Sequence, residues 1–307
     1  MHHSEESTAT GRWEPIPRIR QPVRFAKRLR GKLTMNRCKH PSTIRRIIAR
    51  LSFLSPSAVQ RIDQLGQFIQ KVANTIRFEH FWARHMAANP DLQVVPSFTK
   101  QKNKHPIWNL TIERMERLGR SGQVLEFGTN NGGWLYFFVS RLPDTILLHG
   151  FDCFEGLPEE WDGLPRGSIK GYGFPAELWG DDRQKRETLL AEFQRTGAMP
   201  VPPQPNVRIH SGLFSECLPR FMKGGEVPRD IRLIHFDADL YVSTRPVLDT
   251  LCGQMDYEYF ILFDEFYSAN HEFRAWVEFV ELFKLRNWKV AATSEDGVQV
   301  LIHMNPQ

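Results

Sequence analysis

Between Ser57 and His85 the apolar positions Val59, Ile62, Leu65, Ile69, Val72 and Ile76 recur three or four apart, which is the period of an amphipathic helix. Phe78, Phe81 and Trp82 extend or follow it. Pro90 and Pro96 break the pattern, and a second helix is predicted from about Ile107 to Leu118. Beyond it short apolar runs alternate with helical stretches. Strands are expected at 124–127, 145–152, 206–210, 231–241 and 257–266, then a helix over 271–285 and a hairpin of strands 289–293 and 298–303 around Glu295-Asp296-Gly297. Ser243 or Thr244 is expected to cap the helix that joins the fourth strand to the fifth, with Pro246 in its first turn. That connection makes a βαβ unit, so those two strands run parallel. The fold class is α/β.

The domain reading follows from composition as well as pattern. Residues 1–56 form a basic arm expected to be partly disordered, residues 57–104 a helical cap, and residues 105–307 the catalytic candidate. Residues 1–62 hold 14 Lys/Arg against 3 Asp/Glu, so the arm is strongly cationic while the remainder is acidic. Such an arm suits weak contact with an anionic surface, or packing on an acidic face of its own fold or of a partner subunit, and self-association into a homo-oligomer is compatible with it. No window approaches a membrane span, and the first residues lack the order of a secretory leader, so a cytoplasmic location is expected. Cys38, Cys153, Cys217 and Cys252 are too scattered for a zinc frame and read as free thiols.

The glycine-rich turn after the first strand carries the chemistry. Val124-Leu125-Glu126-Phe127 is a short apolar strand, Gly128-Thr129-Asn130-Asn131-Gly132-Gly133 a turn, and Trp134 opens an apolar helix. A dinucleotide fingerprint needs a glycine in the middle of Gly-x-Gly-x-x-Gly so that backbone can approach a pyrophosphate, and Asn130 stands there instead. What remains, an acid followed by Gly-x-x-x-Gly, suits the methionine end of S-adenosylmethionine (SAM), with Glu126 near its ammonium group. Asp152, at the tip of the second strand, can take both ribose hydroxyls of an adenosine ligand. Backbone from Ser211 through Gly212 and Leu213 to Phe214 lies where the adenine ring would sit. Residues 154–205, rich in glycine and proline and holding Trp161, Tyr172 and Trp179, read as a substrate lid.

Acids gather at the tips of the fourth and fifth strands. Asp237, Asp264 and Glu265, if they converge, make an all-oxygen site suited to Mg²⁺, with Ca²⁺ and Mn²⁺ as alternatives, and Asp237 also borders the cofactor. Asp239 lies two residues after Asp237, on the same side of an extended chain, where it can act as a base. His271, opening the next helix, is the alternative base.

At these residues the chain resembles a known family. Gln123 to Gly133, 150–158, 211–219, 235–244 and 263–265 together look like the macrocin O-methyltransferase family of class I SAM-dependent enzymes, over roughly residues 105–303. The resemblance implies a doubly wound, mostly parallel seven-stranded sheet with a C-terminal antiparallel hairpin. It further implies methylation of a sugar or other natural-product hydroxyl, with Asp237, Asp264 and Glu265 holding Mg²⁺ and Asp239 as base. The chain departs from the family in having Asp264-Glu265 in place of two aspartates, and in its 270–274 stretch, which lacks the usual glycine. Two other readings compete: an NAD(P)-dependent oxidoreductase, and a non-catalytic anion-binding protein acting through the basic arm.

Overall fold

The computed structural model describes residues 55–87, 89–97, 104–119, 121–170, 188, 205–222 and 227–305. Nearly all of the basic arm, and most of the expected lid with Tyr172 and Trp179, lie outside the described residues. The chain divides into two units, residues 1–63 and 64–307. Of the first, only the opening turns of helix α1 (Pro56–Trp82) are described. In the second, α1 is fastened by Phe78 and Phe81, whose rings lie 5.1 Å and 5.5 Å from Phe273, and by Asn74 Nδ2, which donates to Asn270 Oδ1 at 2.9 Å. The face expected to be buried differs from the one that is: Leu65, Ile69, Val72 and Ile76 stay exposed, because the helix docks through its last turns. No described helix is long and apolar enough to cross a membrane.

The rest is a doubly wound α/β domain. After β1 (Gln93–Val95) and α2 (His105–Glu116), the chain forms β2 (Gly122–Phe127), α3 (Gly133–Val139), β3 (Ile146–Asp152), β4 (Val207–Ser211), α4 (Phe214–Phe221), β5 (Ile231–Phe236), α5 (Tyr241–Thr250), β6 (Tyr259–Phe263), α6 (Glu272–Phe283), β7 (Trp288–Ser294) and β8 (Val300–Met304). The sheet order is β1-β7-β8-β6-β5-β2-β3-β4, with β8 antiparallel to both its neighbours and every other pair parallel. Seven strands are those expected. The eighth, β1, is an edge strand of three residues, too short and too exposed to leave an apolar signature. α5 starts at Tyr241 without a side-chain cap, so Ser243, Thr244 and Pro246 lie inside the helix rather than at its border. Strand order reverses between β2 and β5, and ligands of open α/β sheets bind at the carboxyl ends beside such a switch.

A row of aromatic rings sets the level of that end. Phe127 is paired in register with Phe151 on one side and Phe236 on the other, and Phe236 with Phe263. Their rings follow one another across β3, β2, β5 and β6 with centroids 4.6, 5.6 and 5.2 Å apart and interplanar angles of 15°, 20° and 13°. All four are fully buried. Burying each stabilises the fold by about 1.5–3 kcal/mol. The residue after each ring stands at the rim: Gly128, Asp152, Asp237 and Asp264.

Candidate active site

The glycine turn is held by its neighbours rather than by itself. The N–H of Gly128 donates to the Phe151 carbonyl at 2.9 Å, and the N–H of Asp237 to the Phe127 carbonyl at 2.9 Å. Gly128 has φ +98°, a conformation that side chains rarely adopt. Asn130 sits at φ +46°, a left-handed position that Asn tolerates, and its N–H donates to Asp152 Oδ2 at 2.7 Å. Asp152 Oδ1 accepts from Phe154 N–H at 2.7 Å, so this one carboxylate ties together the loops after β2 and β3. Burial pushes its pKa up, against the pull of those amides. The carbonyl of Asp152 accepts from Gly212 N–H at 2.9 Å, which brings the turn after β4 to the same place.

These loops border a cavity of about 280 Å³. Of the residues expected to bind cofactor, Gly128, Asn130, Asp152, Gly212, Leu213, Phe214 and Asp237 line it; Glu126, Thr129, Asn131, Gly132 and Ser211 do not. Asp239 and Glu265 line it as well, from the acid side. Leu157, Pro158, Trp161 and Ile169, from the start of the expected lid, form another wall. His271 is not part of it; its Nδ1 accepts the Tyr241 N–H at 3.4 Å.

Asp239 reaches the cavity by a different route from the one expected. β5 ends at Phe236, and Asp239 adopts φ +57° in a tight turn in which Leu240 N–H bonds back to the Ala238 carbonyl at 2.5 Å. Strand alternation therefore does not aim it; a left-handed turn does. Burial, reinforced by the charges of Asp237 and Asp264, brings its pKa up to about 8. Glu265 is raised to about 8 for the same reasons, burial first and then Asp264.

A chain of charges links Glu126 and Asp264, both expected at the site, through His235, Lys104 and Glu272, which were not. Glu126 and His235 face each other in register across β2 and β5, with Glu126 Oε1 3.4 Å from His235 Nδ1. His235 Nε2 is 4.0 Å from Asp264 Oδ1, and Trp134 stacks on the imidazole at 4.4 Å. Burial alone would lower the pKa of His235, but Asp264 and Glu126 outweigh it and bring it up to about 9. Glu126 is raised to about 7, chiefly by burial. Lys104 Nζ donates to Asp264 Oδ2 and lies 3.7 Å from Asp237 Oδ2, while Gln299 Nε2 donates to Asp264 Oδ1. Burial would raise the pKa of Asp264, but the Lys104 and His235 cations hold it below the usual carboxylate range. Glu272, at the start of α6, accepts from Ala238 N–H at 3.4 Å and Glu265 N–H at 3.0 Å, clamping both strand tips. Burial keeps the pKa of Glu272 well up, with Asp239 and Asp237 adding to it.

His235, Asp237 and Asp264 bring one donor atom each within 4.8 Å of one another. Of the three expected metal ligands, Asp237 and Asp264 belong to this group and offer hard oxygens, whereas Glu265 lines the cavity without being part of it. That the Lys104 ammonium lies against both aspartates shows that a cation fits between them. A model described as macrocin-O-methyltransferase (TylF) matches residues 108–291. The chain belongs to that family. As a macrocin-O-methyltransferase family member it is a SAM-dependent O-methyltransferase. Similar solved structures include the calicheamicin methyltransferase CalS11, with 19% identity over 76% of this chain and 91% of that one, TM-score 0.44. The O-methyltransferase NovP shows 18% identity over 66% and 79%, TM-score 0.46, and TomG of Streptomyces achromogenes 14% over 76% and 88%, TM-score 0.40. No curated protein matches the chain.

Proposed function

We propose that this O-methyltransferase acts on a hydroxyl of a small molecule, a sugar or another natural-product acceptor, with Mg²⁺ held by Asp237, Asp264 and Glu265. The observation that carries the reading is that Gly128, Asn130 and Asp152 line the same cavity as Asp237, Asp239 and Glu265. Bound SAM supplies an electrophilic methyl carbon, and a divalent cation supplies positive charge that lowers the pKa of a neighbouring hydroxyl.

The chain's own residues do the rest. Gly128 lets its turn close on the backbone of Asp237, and the oxygens of Asp152, each with acceptor capacity left after serving Asn130 and Phe154, take ribose hydroxyls. Asp239 accepts the proton of the acceptor hydroxyl. Trp161 offers a flat apolar surface to the acceptor. Fixing donor and acceptor in one cavity supplies up to about 7–11 kcal/mol in favourable intramolecular cases. Deletion of residues 1–55 is expected to leave turnover intact; loss of function with SAM turnover retained would favour a role carried by the basic arm instead.

Calorimetry with SAM and NAD side by side, followed by a methyl-transfer assay with and without EDTA, tests the proposal. SAM binding is expected, with turnover lost in EDTA and restored by Mg²⁺. Full activity after thorough chelation removes the metal from the reading, and binding of NAD in place of SAM removes the reading altogether.

A further inference from the structure

We infer that Lys104 and a divalent cation compete for the same two carboxylates, so that the Lys104 ammonium is the resident cation of the site until a metal ion displaces it. The inference rests on the metal reading proposed above. Lys104 immediately precedes α2 and lines the cavity. Its Nζ donates to Asp264 Oδ2 and stands 3.7 Å from Asp237 Oδ2, the two oxygens that face a shared cation. The other oxygen of Asp264 accepts from Gln299 and has His235 Nε2 4.0 Å away, and the side chain is fully buried.

A metal ion that takes Asp264 from the cavity side therefore meets the oxygen that Lys104 holds. Two cations on one oxygen pair repel each other. Lysine is the residue able to yield: its charge sits on a flexible four-carbon stem beside an open cavity. With the metal absent, the ammonium keeps the buried Asp264 and the half-buried Asp237 from facing each other unneutralised. With the metal present, the same ammonium is released into the cavity. The metal affinity of the site is then set by a residue that never ligates it.

Mn²⁺ titrated into the full chain, with the free ion read by electron paramagnetic resonance, tests this. In Lys104→Met the Kd for Mn²⁺ is expected to fall by at least about tenfold. Lys104→Arg, which keeps a cation, should bind no better than the native protein. Lys104→Gln, whose amide can still donate to Asp264, replaces the methionine variant should that fail to fold. Equal or weaker Mn²⁺ affinity in the neutral variant, or no Mn²⁺ bound by any of the proteins, overturns the competition. SAM calorimetry on the same samples separates the two readings. Normal SAM binding without a gain in Mn²⁺ affinity sinks the competition alone, whereas native protein that does not bind SAM sinks the methyl-transfer site.

Discussion

Gly128 and Asp237 meet backbone to backbone: a Cβ on Gly128 would overlap the Asp237 carbonyl oxygen and lie 2.6 Å from its carbonyl carbon. The glycine turn and the acid-bearing tip of β5 therefore close on each other only because one of them has no side chain. Gly128→Ala would meet that overlap and also strain a φ of +98°. It is expected to cost at least about 1–3 kcal/mol and to weaken SAM binding, read by thermal melting and calorimetry. Native-like melting with unchanged SAM affinity would show that the contact has no role.

Asp239→Asn keeps the shape of the tight turn and removes the proton acceptor. A fall in kcat of about 10²–10⁴ is expected, with the Kd for SAM unchanged. His271→Ala, altering a side chain that does not line the cavity, should retain most of the rate. The opposite pattern in steady-state assays would move the base to His271.

The raised carboxyls predict that stability falls as pH rises. The pKa of Asp239 goes from an ordinary 3.8 to about 8 in the fold, so the native state holds a proton that the unfolded chain gives up between those values. Melting temperature should decline across that window. Asp239→Asn and Glu265→Gln should each flatten the decline and melt above the native protein at pH 8, with little difference at pH 4. A native melting temperature that rises from pH 5 to 8 would contradict the burial of these acids.

His235 adds a second window. Its folded pKa of about 9 lies above the ordinary 6.5, so its contribution to stability is full below 6.5 and is lost as pH rises through 9. His235→Gln leaves Glu126 and Asp264 without their shared cation and is expected to cost about 3–5 kcal/mol at pH 6. The penalty should shrink above pH 9, measured by denaturant unfolding at both values. An equal penalty at pH 6 and 10 would mean that the imidazole is neutral in the fold.

Much of the domain was legible because its central strands are continuous apolar runs that end on an acid or a glycine: Phe127-Gly128, Phe151-Asp152, Phe236-Asp237, Phe263-Asp264. Each pair says where a strand stops and what stands at its tip. What escaped were residues whose meaning depends on pairing. Glu126 was expected to face the cofactor, but His235 is a lone ionisable group in an apolar strand, and only the register that sets the two opposite each other shows that they meet. Lys104 sits outside any periodic pattern, and nothing local marks it as the partner of an acid 160 residues away. The exposed stripe of α1 shows the converse, a periodic signal that predicts a helix correctly but not the face by which it docks.

Strand β8 lies between β6 and β7 although its residues, 300–304, come last of all the described strands. A ribosome still translating this segment holds a chain in which β6 and β7 have no common neighbour and Asp264 has not yet met Gln299. The acid-bearing strands β5 and β6 pair directly, yet the fully buried carboxylate of Asp264 gains its Gln299 partner only when β8 is laid beside β6.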